Sequence, residues 1–193
     1  MARLARAFED AQARTAFLTL VLTGLRRHGC RQLRWRDVDL LEGVLRVRDS
    51  KTEDGIRSIA VPPRLADELR DHWRRSPFRG DDELVFCHPE RGTVYRAETF
   101  REALEAAQAA AGVTGRLRPF HDLRHTAITH DTASGASEIA VMAKAGHSSM
   151  QTTRTYLHLA GTVFRAEAEA LEARLLGEVS TEPSTDLSAS QST

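Results

Sequence analysis

AGHSSMQTTRTYLH, residues 145–158, is the most specific segment of this 193-residue chain. It holds a Gly-His-Ser-Ser turn, and Tyr156 follows nine residues after His147. A tyrosine at helical spacing is usually a core residue, because its ring buries a large apolar area. The chain has two tyrosines, and nothing comparable surrounds the other, Tyr95. Whether Tyr156 packs or reacts therefore depends on what else the sequence supplies.

Three shorter segments supply residues suited to phosphate chemistry: TGLR at 23–26, SKT at 50–52 and HDLRH at 121–125. The planar fork of an arginine can hold two phosphate oxygens, and a lysine can give up a proton in a tuned site, whereas an arginine cannot. A phenol with a pKa of about 10 needs nearby cations before it attacks at neutral pH. Together the segments predict attack of a tyrosine on a phosphodiester without a metal ion.

In order and spacing, these four segments resemble the catalytic domain of the tyrosine recombinases, the phage integrase family, over roughly residues 15–165. The resemblance implies an α+β fold that is mainly α-helical, with a small antiparallel β-hairpin or sheet near residues 43–61. It also implies six catalytic residues, which are Arg26, Lys51, His121, Arg124, His147 and the nucleophile Tyr156. His125 is expected to pack or to make a structural hydrogen bond.

The function implied by this resemblance is site-specific DNA recombination or integration by strand cleavage and rejoining. Tyr156 attacks a DNA phosphate and forms a 3′-phosphotyrosyl bond, the arginines neutralise the phosphate oxygens, and Lys51 protonates the departing 5′-oxygen. The implied partners are double-stranded DNA and further copies of the chain, assembled on DNA as a synaptic tetramer. No metal or other cofactor is expected. Such an enzyme belongs to a mobile genetic element of a prokaryote or a phage.

Gly29 departs from the family pattern. The family commonly carries Glu or Asp three residues after its first arginine, where the acid helps to orient the active-site cations, and this chain has glycine there. Glycine also weakens a helix by about 1 kcal/mol relative to alanine. This departure supports an alternative, in which the chain is a truncated, non-catalytic DNA-binding remnant of an integrase.

Each motif also has a plainer interpretation. HDLRH can be ordinary charge at the start of a helix, and Lys51 a solvated hairpin lysine. His121 and His125 can be ligands of a metal-dependent hydrolase, although zinc takes three or four clustered ligands and no further Cys or acidic residue stands at ligand spacing. A type IB topoisomerase-like enzyme, which nicks and relaxes DNA without exchanging partners, would use the same tyrosine chemistry.

Hydrophobic periodicity predicts a mainly helical chain with one hairpin. The hairpin strands are expected over 43–48 and 57–61, with a turn at Asp54-Gly55 and Lys51 on or beside it. Gly24 is expected to break the first helix, and the resemblance implies that Trp35 is buried beside a turn. The predicted helices cover residues 4–22, 26–34, 64–75, 97–111, 121–133, 137–145, 149–157 and 161–176.

We predict two regions along the chain. Residues 1–177 form the catalytic domain, with the N-terminal core-binding domain of the family absent, and residues 178–193 form a disordered tail rich in Ser and Thr. The last predicted helix carries an apolar stripe between Phe164 and Leu175. By resemblance this stripe docks on a neighbouring protomer, but it can equally fold back on its own domain.

Charge and composition limit the location and the partners. The net charge is zero, but the acidic residues concentrate from 166 onward, which leaves 26 basic and 21 acidic residues in 1–165, a net charge of +5. The apolar run 16–22 is too short to cross a bilayer, and the N-terminus has no signal-peptide core, so we expect a cytoplasmic protein without membrane contact. The resemblance implies that it is associated with the nucleoid. The distant Cys30 and Cys87 are expected to be packed thiols.

Overall fold

The computed structural model describes residues 1–48 and 57–146 of the chain. Three of the predicted catalytic residues, Lys51, His147 and Tyr156, lie outside the described residues. So do the predicted turn at Asp54-Gly55, the helices predicted over 149–157 and 161–176, and the predicted tail. The described residues form the part of the fold that positions Arg26, His121 and Arg124.

The N-terminal region contains two helices, α1 (Ala2–Arg6) and α2 (Ala11–Thr23), so the prediction of one continuous helix over 4–22 is wrong. The reason is Asp10, whose carboxylate accepts hydrogen bonds from the backbone N–H groups of Gln12 and Ala13 at 2.7 and 3.1 Å. An aspartate at this position starts a new helix, because it satisfies N–H groups that have no intrahelical partner.

Helix α2 is the buried centre of the fold and packs against α1 and four of the later helices. Its large side chains include Phe17 and Leu20, both fully buried. Each of its three buried threonines donates its hydroxyl to the carbonyl four residues earlier, so burial leaves no hydroxyl without a partner. The helix ends at Gly24, whose φ of 66° is left-handed, as the sequence predicted.

The sheet has three antiparallel strands in the order β1 (Val38–Asp39), β2 (Val44–Val47) and β3 (Arg57–Ala60). Strands β2 and β3 confirm the predicted hairpin, with Val47 opposite Arg57. The sequence did not predict β1, because two residues are too short to show an alternating pattern. A short 3₁₀ helix, Trp35–Asp37, precedes β1, and Trp35 is buried there as predicted.

Five helices complete the described fold, and their bounds mostly match the prediction. The exception is α3, which ends at Arg31 because the chain then turns to pair with a distant segment, where Val85 N–H donates to Leu33 O at 2.8 Å. Pro119 occupies the first turn of α6, where its missing N–H costs nothing. The five are α3 (Arg27–Arg31), α4 (Pro63–Arg75), α5 (Ala97–Ala110), α6 (Pro119–Ala133) and α7 (Glu138–Ala145).

Helix α7 packs on α6 through a small apolar cluster of its own, formed by Ile128, Val141 and Ala145. Beside it, Lys144 Nζ forms an ion pair with Asp131 at 2.8 Å, which gives this lysine a structural role between the two helices. Cys30 and Cys87 are buried free thiols, as predicted. Among the described helices, none combines the length and the apolar character that crossing a bilayer requires.

We predict that Asp10→Ala lowers the free energy of unfolding by about 1 kcal/mol, because two N–H groups at the start of α2 lose their acceptor. Asp10→Asn keeps a side-chain oxygen at the same place and serves as the control, with a loss well below that of alanine. Urea denaturation of the three proteins measures both values. An equal loss in the two variants would contradict the capping role.

Candidate active site

Arg124 connects the C-terminal ends of two helices. From α6 its guanidinium donates to the Gly24 carbonyl after α2, and through Nη2 to the Ala145 carbonyl at the end of α7, at 2.8 Å. The last carbonyls of a helix have no intrahelical partner and carry partial negative charge. Both helix ends therefore favour a cation at this position.

Arg26 reaches the same end of α7 from the loop after α2. Leu25 beside it is buried and fixes the loop, while the Arg26 side chain is exposed to solvent and its Nη2 donates to the Gly146 carbonyl. Arg26 and Arg124, predicted from two separate motifs, thus hold consecutive carbonyls immediately before His147. Their catalytic roles remain predictions.

A third arginine, which the sequence analysis missed, completes this group. Arg57 at the start of β3 donates through Nε to the Lys144 carbonyl at 2.7 Å. Burial, and then the neighbouring charge of Arg26, lower the pKa of the Arg57 guanidinium to about 10. The only signal in the sequence is its position six residues after Lys51 in a predicted strand. We call Arg26, Arg57 and Arg124 the arginine cluster.

Gly146 makes the close approach of the arginine cluster to α7 sterically feasible. Its φ of 64° is left-handed, which favours glycine. A Cβ atom at this position would lie 2.7 Å from Arg57 Nη1 and 3.2 Å from Arg26 Nη1. A side chain here would therefore displace the two guanidinium groups or the end of the helix.

His121 lies in the first turn of α6, three residues before Arg124, and its side chain is 52% exposed. Its Nδ1 atom lies 3.0 Å from Asp122 Oδ1, and its Nε2 atom lies 2.9 Å from Nε2 of His125. The predicted hydrogen bond of His125 is thus made to His121 itself. The three side chains form a continuous hydrogen-bonded chain from Asp122 through the exposed His121 to the half-buried His125.

Asp122 was not among the predicted site residues, although it stands within HDLRH. Burial raises the pKa of Asp122, but hydrogen bonds from the Arg118 backbone, from His121 and from the Arg118 side chain outweigh it and bring the pKa to about 2. The ionised carboxylate only accepts hydrogen bonds, so the Nδ1 atom of His121 is the donor. For His125, burial and then the nearby His121 lower the pKa.

Gly29 borders a cleft of about 480 Å³ whose walls include Arg34, Asp37 and Arg48. A Cβ atom on Gly29 would meet only Leu25 Cδ2, at 3.6 Å, and its backbone is not left-handed. The position therefore accepts a side chain without strain. In the described ranges, no group of three or more His, Cys, Asp and Glu residues is placed to hold a metal ion.

Comparisons with known proteins give consistent matches. The family model described as the phage integrase family matches residues 1–162. Tyrosine recombinase XerC of Proteus mirabilis is 30% identical over 149 residues, which are 76% of this chain and 47% of that protein. The chain thus spans about half the length of the curated relatives it matches.

Solved structures share the fold. The crystal structure of XerA recombinase superposes with a TM-score of 0.70 at 21% identity, covering 90% of this chain and 60% of that one. The XerH site-specific recombinase bound to its difH substrate superposes with a TM-score of 0.68 at 23% identity, covering 88% of this chain and 50% of that one. These matches confirm the predicted fold class.

We predict that Gly146→Ala destabilises the protein more than Gly135→Ala does. Both glycines are left-handed, at φ of 64° and 82°, so both substitutions cost roughly 1–2 kcal/mol of backbone strain. Only the first also pushes a Cβ atom into the arginine cluster, since nothing lies within 4 Å of a Cβ at Gly135. Urea denaturation measures both losses. Equal losses would show that the arginine contact is unimportant.

Proposed function

Because the chain belongs to the phage integrase family of tyrosine recombinases, we propose that it breaks and rejoins DNA strands at specific sites. The observation that carries the proposal is the attachment of Arg26 and Arg124 to consecutive carbonyls directly before His147. Two guanidinium groups held side by side suit one phosphate, because each can hold two of its oxygens. The Arg26 side chain is exposed, so a DNA phosphate can reach it.

The reaction that we propose begins when the Tyr156 phenol gives its proton to water and the phenolate oxygen attacks a DNA phosphorus. A tyrosine–phosphorus bond forms at the 3′ side, the bond to the 5′-oxygen breaks, and Lys51 gives that oxygen a proton. Arg26 and Arg124 offset the charge that grows on the nonbridging oxygens, in the way that fixed donors stabilise a transition state. A 5′-hydroxyl of another strand then attacks the phosphotyrosine, releases the tyrosine and completes the exchange.

His121 has a supporting role in this proposal. Its Nδ1–H donates to ionised Asp122, which fixes the orientation of the ring. Its Nε2 atom is hydrogen-bonded to Nε2 of His125, so the two imidazoles can pass a proton between them, and contact of His121 with the phosphate would replace that bond. His147 follows the α7 carbonyls directly in sequence, so we assign it a role at the same phosphate.

The partner we propose is double-stranded DNA, and XerH, which shares the fold, is bound to its difH substrate in its crystal structure. The proposal has three further parts. The protein assembles as a tetramer on DNA, a catalytic domain covering residues 1–177 cleaves the strand, and residues 178–193 form a disordered tail. The family match over residues 1–162 supports the first region. We also propose that the protein acts on DNA in the cytoplasm.

The second candidate is a DNA-binding remnant without catalytic activity, which Gly29 favours. Glycine supplies no carboxylate to the cleft beside α3, where the family commonly has an acidic residue. A glycine within a helix also weakens α3. The two candidates share the DNA partner. They differ in whether a covalent protein–DNA bond forms.

We predict that the wild-type protein forms a covalent complex with a nicked suicide duplex, from which the short 5′-hydroxyl fragment diffuses away. The duplex is taken from the ends of the element that flanks the gene. Tyr156→Phe removes the attacking oxygen and abolishes the complex, whereas DNA binding persists. A denaturing gel run after incubation with EDTA shows the covalent band, and a gel shift measures binding.

The gel also separates the alternatives. Absence of a covalent band with intact DNA binding would favour the remnant. Stoichiometric zinc in the purified protein, together with loss of cleavage in EDTA, would favour a metal-dependent hydrolase. Relaxation of supercoiled plasmid by a monomer would favour a topoisomerase-like enzyme.

We further predict that Gly29→Glu raises the cleavage rate about tenfold, which corresponds to about 1.4 kcal/mol in the activation free energy. By the family resemblance, a carboxylate at this position helps to orient the active-site cations, and a single charge-assisted hydrogen bond contributes that much. Gly29→Gln has the same size without the charge and is the control. Single-turnover cleavage measures both, and equal rates would contradict an electrostatic effect.

A further inference from the structure

We propose that Arg57 is a positioning residue that joins the segment carrying Lys51 to the phosphate-binding end of α7. The inference rests on the proposed function and deepens it. It assigns a role to a side chain that no motif in the sequence marked. The role is to set where the proton donor stands relative to the phosphate held by the other two arginines.

The contacts of Arg57 reach across two elements. Its backbone starts β3 opposite Val47 of β2, and its side chain reaches the end of α7, where Nε donates to the Lys144 carbonyl at 2.7 Å. The Nη1 atom stands beside Gly146, at 2.7 Å from the place of a Cβ atom there. The guanidinium therefore lies along the last turn of the helix and is bonded there to the Lys144 carbonyl.

This placement is electrostatically costly. Burial and the nearby charge of Arg26 both disfavour the charged form of Arg57. An arginine nevertheless remains protonated at neutral pH, so the cost falls on the folded protein. The α7 carbonyls offset part of it, because the C-terminal end of a helix attracts cations. A methionine would fill the same space without this cost, which favours a role for the guanidinium beyond packing.

Chain connectivity places Lys51 in the segment that ends at Arg57. Strand β2 ends at Val47 and β3 begins at Arg57, so Lys51 lies in the connection between them, six residues before Arg57. On the other side, α7 ends at Ala145 and leads through Gly146 directly to His147. Lys51, the proposed proton donor, lies in the connection that ends at Arg57. The Arg57 side chain thus bonds this connection to the helix end that precedes His147. General acid catalysis depends on such placement.

The test compares two DNA substrates that differ at one atom. In the first, the leaving group is the ordinary 5′-oxygen, which needs a proton as it departs. In the second, a sulfur replaces that bridging oxygen, and the P–S bond breaks to release a thiolate. An ordinary thiol has a pKa of about 8.5, so it leaves without a general acid. A defect in proton delivery is therefore rescued by the sulfur substrate, whereas a defect in phosphate binding is not.

Arg57→Met keeps the apolar stem and removes the guanidinium. We expect its single-turnover cleavage of the oxygen substrate to fall by about 30-fold or more, because a displaced general acid loses part of the roughly 100-fold to 10,000-fold that it contributes. Its cleavage of the sulfur substrate should fall by less than about 3-fold. Arg57→Lys can bond one carbonyl but lacks the fork, so it falls between Met and the wild type. Circular dichroism and DNA affinity confirm that the variants are folded.

Arg31→Met is the matched control, because Arg31 Nε donates to the Tyr95 carbonyl at 3.0 Å in the same manner at another place. Any effect of this variant should be equal on the two substrates. Lys51→Ala serves as the reference for full rescue by sulfur, and Arg124→Ala as the reference for no rescue.

Two results would overturn the inference. An equal loss on both substrates in Arg57→Met would show that Arg57 binds the phosphate or only stabilises the fold, and no loss on either would show that its contact with α7 is unimportant for cleavage. Failure of the proposed function looks different, since the wild type would then form no covalent complex with either substrate. If the wild type cleaves both substrates, and the sulfur substrate rescues Lys51→Ala but not Arg57→Met, the role of Arg57 is rejected and the proposed function stands.

Discussion

The carbonyl groups at the C-terminal end of α7 are the feature on which the candidate site depends. Three consecutive carbonyls, those of Lys144, Ala145 and Gly146, each accept a hydrogen bond from a different arginine. Guanidinium groups repel one another, and only an aligned set of acceptors with partial negative charge gathers them this closely. The helix end therefore concentrates positive charge and fixes its geometry before any anion arrives.

The rest of the fold brings this helix end and the arginines together. Helix α2 is mostly buried and is followed by the left-handed Gly24, whose carbonyl gives Arg124 its second acceptor. Helix α6 carries Arg124 and holds α7 through a small apolar cluster and the ion pair of Lys144 with Asp131. The sheet supplies Arg57 from β3. The site is thus assembled from elements far apart in sequence, which explains its dependence on the whole core.

The sequence predicted most of the elements, because helix and strand periodicity is a local property. It also predicted Arg26 and Arg124, since each stands in a recognisable motif. It missed the break at Asp10, where a capping interaction overrode a continuous apolar pattern, and strand β1, which exists only through its pairing with β2. Arg57 and Asp122 were missed for a related reason. Their importance comes from tertiary and hydrogen-bond contacts that neither periodicity nor spacing records.

The most direct test of this account is a crystal structure of the Tyr156→Phe protein bound to a duplex from the ends of its element. The account predicts one DNA phosphate within hydrogen-bond distance of both Arg26 and Arg124, with Arg57 still bonded to the Lys144 carbonyl. A phosphate bound away from these two arginines would contradict the assignment of the site. An Arg57 side chain that leaves α7 to contact the phosphate would contradict its role as a positioning residue.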